Sequence, residues 1–210
     1  MRKTVFLLCM AAGTLCLAQK QFQPAGSTLL ETIDGDLDGD KIPEKVLIYT
    51  TADEGELGKI REIQILKNAG GKWTLLEKSR NAILESGGGG MMGDPYGETK
   101  IEKGILIISQ MGGSSWKWDV TDKYRFQNGH FELIGTSSTY GRPGDYWKDV
   151  DFNLSTGQLN YTNEVENTAE YGKSSKETYI HKGVKINLQN RNQDKQRKII
   201  LPKTKEEVYF

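Results

Sequence analysis

The chain has 210 residues, 28 Lys plus Arg against 28 Asp plus Glu, and 36% apolar side chains. Zero net charge excludes a generally basic nucleic-acid binder, and the low apolar content excludes a polytopic membrane protein. Twenty-four glycines and 9% aromatics suit a turn-rich β protein, since a disordered chain carries fewer aromatics and more net charge.

Arg2 and Lys3 followed by the mostly apolar stretch Thr4 to Ala18 read as a secretory signal, with Cys16-Leu17-Ala18 offering small residues where a signal peptidase cuts. Cleavage after Ala18 predicts an exported protein, periplasmic or secreted. No stable membrane span then remains, because a span needs about 20 consecutive apolar residues and Gln19, Lys20 and Gln21 interrupt this one. Lipid attachment at Cys16 is the lesser reading, because Gly13-Thr14-Leu15 has the small residue and the leucine in the reverse order. Both cysteines, Cys9 and Cys16, leave with the signal, so no disulfide framework is expected. The expected organisation is residues 1–18 signal peptide, 19–28 polar linker, 29–189 all-β domain, and 190–210 polar C-terminal tail with a short terminal apolar segment, Ile199-Ile200-Leu201.

Short apolar runs with turn residues between them predict antiparallel β structure. Val46 to Thr50 is a compact β-branched and aromatic run that reads as a strand. Arg61 to Leu66 and Trp73 to Glu77 flank Asn68-Ala69-Gly70-Gly71 as a hairpin. Lys100-Ile101 and Ile105 to Ser109 flank Glu102-Lys103-Gly104. Trp116, Trp118, Val120, Tyr124 and Phe126 alternate, turn at Asn128-Gly129 and return through Phe131 and Leu133. Tyr146 to Leu154 pairs with Leu159 and Tyr161 across Ser155-Thr156-Gly157, and Val184 to Leu188 gives a late strand. The period of two leaves one face of each strand apolar, as in a meander, sandwich or barrel-like domain.

The most specific chemistry lies in Asp34-Gly35-Asp36-Leu37-Asp38-Gly39-Asp40-Lys41-Ile42-Pro43-Glu44. Four carboxylates at alternate positions repel one another unless a cation sits among them, and hard oxygen donors from a short turn suit Ca2+. An EF-hand needs Glu at loop position twelve. That position is Leu47 or Lys45, depending on the start, and neither ligates. Over nine positions from Asp36 the segment resembles the calcium loop of FG-GAP and VCBS-type repeats. The resemblance implies side-chain ligands Asp36, Asp38, Asp40 and Glu44 and the backbone carbonyl of Ile42. Lys41 stands where such loops usually have Gly, which matters if that residue takes positive φ. One copy of the loop implies no complete propeller, and an ion enclosed by its own turn implies a structural role. More loosely, the chain is similar to uncharacterised exported bacterial β proteins that place such a loop early, then Gly87 to Gly90, Gly93-Asp94-Pro95-Tyr96-Gly97, and Gly112-Gly113-Ser114-Ser115-Trp116-Lys117-Trp118.

Gly88, Gly90 and Gly93 spell G-x-G-x-x-G, but no strand leads in and Asp94-Pro95 follows where a helix should open, so no nucleotide is expected. A mobile loop is the expectation there, with Met91-Met92 closing over a neighbouring surface. The Gly- and Pro-rich stretch Tyr140 to Trp147 does not easily bury its aromatics. Tyr140, Arg142, Tyr146 and Trp147 are therefore the candidate ligand-binding residues. No catalytic residue is assigned: Gly-x-Ser-x-Gly is absent and only His130 and His181 are available. The expected function is a non-enzymatic binding or interaction module for a protein or glycan, with structural calcium. The alternative is a secreted glycan-acting hydrolase, which requires Asp94 and one of Asp145, Asp149 or Asp151 to converge in one cleft.

Overall fold

The computed structural model describes residues 20–192 and 195–210; the expected signal peptide lies outside them. Strands β1 (Thr28–Gly35), β2 (Glu44–Glu54), β3 (Lys59–Ala69) and β4 (Lys72–Ser79) pair in sequence order as one antiparallel sheet. A second sheet holds β5 (Tyr96–Glu102), β6 (Ile105–Gly113), β7 (Lys117–Gln127), β8 (His130–Arg142), β9 (Tyr146–Asn153), β10 (Gln158–Val165) and β11 (Ser175–Ile180). Each strand again lies beside its chain neighbour, so both sheets are meanders. A short helix, α1 (Thr168–Tyr171), precedes β11, and a small hairpin, β12 (Lys198–Ile200) with β13 (Glu207–Tyr209), ends the chain. The fold is all-β, without a closed barrel or propeller among the described residues.

The expected hairpins all form, and their turns show why. Gly70-Gly71, Lys103-Gly104 and Asn128-Gly129 each place two consecutive residues at positive φ. That geometry matches the right-handed twist of the flanking strands. The two sheets share one core: Val46, Ile48, Ile63 and Ile65 from the first meet Leu106, Ile108, Tyr124, Phe131 and Phe152 from the second. The far face of the four-stranded sheet buries Leu47, Tyr49, Leu66 and Trp73, with Phe22 from the N-terminal segment packed on them.

Strands β1 and β11 form where no strand was expected, and three further segments differ from expectation. Val184 to Leu188 forms no strand. It makes a single bridge, Glu132 to Asn187, with Leu133 donating to the Ile186 carbonyl at 2.9 Å and Leu188 to the Phe131 carbonyl at 2.9 Å. Strand β9 meets β8 only from Gly135 onward, so the edge at residues 131–133 is open and this segment fills it. The C-terminal segment is tied into the domain: Ile199, Leu201, Val208 and Phe210 join the core, and Phe210 stands edge-on to Phe152 at 5.1 Å. Arg191, 1% exposed, pairs with buried Asp122 at 2.7 Å. The glycine-rich segment is pinned by its backbone. Gly87 donates to the Leu57 carbonyl at 2.8 Å, Gly89 to Gly93 at 2.9 Å, and Gly113 to Gly89 at 2.8 Å. A Cβ on Gly112 would stand 2.8 Å from Gly89 Cα, so these glycines let a loop lie directly on a strand end.

Candidate functional site

The acidic loop spans the connection between β1 and β2. Leu37, 3% exposed, anchors its first turn in the core, so the loop geometry is tied to the folded state. Carboxylate oxygens of Asp36, Asp38 and Asp40 lie within 4.8 Å of one another. Oxygens bound to one calcium at about 2.3–2.6 Å can be at most about 5 Å apart, so the spacing fits a shared ion. Each carboxylate is aimed by a backbone amide. Asp36 accepts from Gly39 at 2.7 Å and Lys41 at 3.0 Å, Asp38 from Asp40 at 3.2 Å, and Asp40 from Ile42 at 2.7 Å. These bonds leave each carboxylate further lone pairs.

Glu44 stands behind this cluster, fully buried. Its Oε2 accepts from Leu37 N–H at 2.8 Å, and its Oε1 has no partner. Burial raises its pKa, and the charges of Asp38 and Asp40 raise it further. Glu44 is not within the 4.8 Å group that Asp36, Asp38 and Asp40 form, so three of the four expected side-chain ligands come together and the fourth is placed near them only through its electrostatic interaction with Asp38 and Asp40. Lys67 of β3 bonds Asp38 and lies 2.9 Å from Asp40. That contact lowers the Asp40 pKa and raises the Lys67 pKa. Asp34 is turned away and pairs with Lys45. Lys41 takes φ +67°, the left-handed conformation expected of that position. Ile42 exposes its side chain and enters the loop through its backbone.

The second candidate region comes together in part. Tyr140, Arg142 and Tyr146 meet at the end of β8 and the start of β9. Trp116 stacks on Tyr140 at 5.5 Å and meets Tyr146 at 5.1 Å, while Arg142 covers the Trp116 ring at 4.9 Å. Tyr171 of α1 closes on Tyr146 edge-on at 5.0 Å. Tyr171 carries no sequence pattern that marks it, because its place depends on the chain folding back after β10. Trp147 leaves the group. It points to the other sheet face and packs over Gly141, whose absent Cβ would lie 2.7 Å from the indole.

The acids required by a hydrolase are dispersed. Asp94 pairs with buried Arg61 just before β5, whereas Asp149 and Asp151 are exposed on β9. Four inter-strand steps separate β5 from β9, about 19 Å at the usual strand spacing, beyond the roughly 5–10 Å of a glycosidase pair. Asp145 is bound to Arg142 in the β8–β9 turn. Among the described residues no helix is long and apolar enough to cross a membrane. Neither a protein-family model nor a curated protein matches the chain.

Proposed function

We propose that the protein is an exported, non-enzymatic binding module whose Asp36 to Glu44 turn is an FG-GAP-like loop holding one structural Ca2+. The observation that carries this reading is the spacing of Asp36, Asp38 and Asp40, whose carboxylate oxygens lie within 4.8 Å of one another; buried Glu44, with one unpartnered oxygen, lies outside that group and feels the charges of Asp38 and Asp40. Asp36, Asp38, Asp40, Glu44 and the Ile42 carbonyl would hold the cation. It would supply the positive charge that four carboxylates and one lysine lack. Because Leu37 ties the loop to the core, an ion bound only by the folded chain raises stability by mass action. Asp94 does not converge with Asp149 or Asp151, and Asp145 is bound by Arg142, so the acid pair that the hydrolase alternative requires is not assembled, which favours recognition over hydrolysis.

The test is a pair of thermal melts, in millimolar calcium and in chelator. Asp38→Ala should melt below the parent protein in calcium and nearly with it in chelator. An equal loss in both conditions would show that Asp38 serves the fold alone.

A further inference from the structure

Methionine is among the residues most often buried in folded proteins, yet all three methionines among the described residues are exposed: Met91 at 89%, Met92 at 49% and Met111 at 46%. The core is filled instead by aliphatic and aromatic side chains. Backbone bonds gather the three at one place. Residues 89–95 run along the end of β6 and are clamped at both ends, Gly113 donating to the Gly89 carbonyl at 2.8 Å and Met111 to the Pro95 carbonyl at 2.9 Å. Met91 and Met92, in the short turn Gly90–Met92, sit between the two clamps.

Leu106 and Ile108 of β6 face the core, so alternation turns Met111 to the outer face of the sheet. Its side chain folds back over β5, with Cε 3.7 Å from where a Cβ on Gly97 would stand. Met92 and Met111 then line one cleft of about 620 Å³, together with Trp118, Trp147, Glu98, Asp119 and Lys117.

Thioethers are soft donors, and soft donors select Cu(I) over hard ions. The described residues contain no cysteine, and no imidazole reaches the cleft. Met111 pairs with Asp119 near the start of β7, whereas His130 pairs with Gln127 at its other end, about 26 Å away at the usual strand rise. His181 follows β11, five strand steps from β6, about 24 Å at the usual spacing. Exposed methionines also serve as docking surfaces for apolar partners. Here Glu98 and Asp119 would lose their water under an apolar surface, while a small cation gains from both.

We propose that Met92 and Met111 form a site for one Cu(I) ion on the outer face of the seven-stranded sheet. It is a second site, apart from the acidic loop, whose oxygens suit a hard ion.

The experiment titrates the protein, without oxygen, with Cu(I) kept reduced by ascorbate and with Ag(I) as a redox-inert substitute. Tryptophan fluorescence and competition with a chromogenic Cu(I) chelator follow binding. One ion per chain should bind and change the fluorescence, since two tryptophans line the same cleft. Met92→Leu and Met111→Leu should each weaken binding by roughly tenfold or more, and Met91→Leu, outside the cleft lining, by less than about twofold. Leucine is close to methionine in volume, so all three variants should melt with the parent when copper is absent. No Cu(I) or Ag(I) binding would overturn the assignment. So would equal binding by the parent and the Met92→Leu, Met111→Leu double variant, or competition by equimolar Zn2+. A double variant that loses self-association while Cu(I) binding is unchanged would make this face a docking surface and sink the metal site. Each of these outcomes turns on Met92 and Met111, so calcium binding at the acidic loop stands or falls by its own test.

Discussion

Lys67 and Lys41 define the acidic turn as much as its carboxylates do. Lys67 reaches from β3 to bond Asp38 and Asp40, so the loop carries an internal counter-ion that the proposed calcium would have to displace or push aside. Lys67→Met keeps the apolar stem and removes the charge. In chelator the variant should melt below the parent, because Asp38 and Asp40 lose the ammonium that bonds them. In calcium titrations it should bind at least tenfold more tightly. Unchanged calcium affinity would show that ammonium and ion do not compete. Lys41 holds a left-handed conformation that costs a non-glycine residue roughly 1–2 kcal/mol. That feature was legible in the sequence, since the loop spacing puts Lys41 at the glycine position. Lys67 was not, because it lies 29 residues from Asp38 and only strand pairing brings it there.

At the scale of elements, β4 is attached to the second sheet through a buried acid. Glu77, 3% exposed, accepts the Phe131 N–H at 2.9 Å, and its Oε1 has no partner. Burial raises its pKa above the ordinary carboxyl value. With a raised folded-state pKa, the stability Glu77 contributes is complete below the ordinary value and is lost as pH rises through the shifted one. Glu77→Gln retains an acceptor and cannot ionise. Melts from pH 8 down to pH 5 should therefore show the parent gaining on the variant as pH falls. A gap that stays constant with pH would mean that Glu77 does not titrate in this window. The hairpins were readable because period-two apolar runs and turn residues are local. The place of Val184 to Leu188 was not, because it depends on where β9 stops pairing with β8. Trp147 was misplaced for a related reason: the loop-like composition of residues 140–147 hides the start of β9 at Tyr146, and from there alternation sends Tyr146 and Trp147 to opposite faces.

Across the whole molecule, two meanders face each other, and the end of the chain closes the core between them. Phe210, Val208 and Leu201 are buried there, although composition alone gives residues 190–210 the look of a tail. The seven-stranded sheet sets both the aromatic cluster and the cleft, while the four-stranded sheet carries the acidic loop. The proposed calcium loop and the aromatic cluster therefore lie at separate places on one fold. The all-β class was legible from strand periodicity, and the loop from its carboxylate spacing. The methionine cleft was legible only in part, because Met92 and Met111 share it through backbone bonds that lay residues 89–95 along the end of β6.

Calorimetric titration of chelator-stripped protein with calcium, and separately with magnesium, tests the central claim most directly. One calcium per chain, with magnesium binding far more weakly and with the site lost in Asp38→Ala, is the predicted result. No calcium binding by protein shown by elemental analysis to be free of metal would contradict the account and leave Lys67 as the loop's own counter-ion.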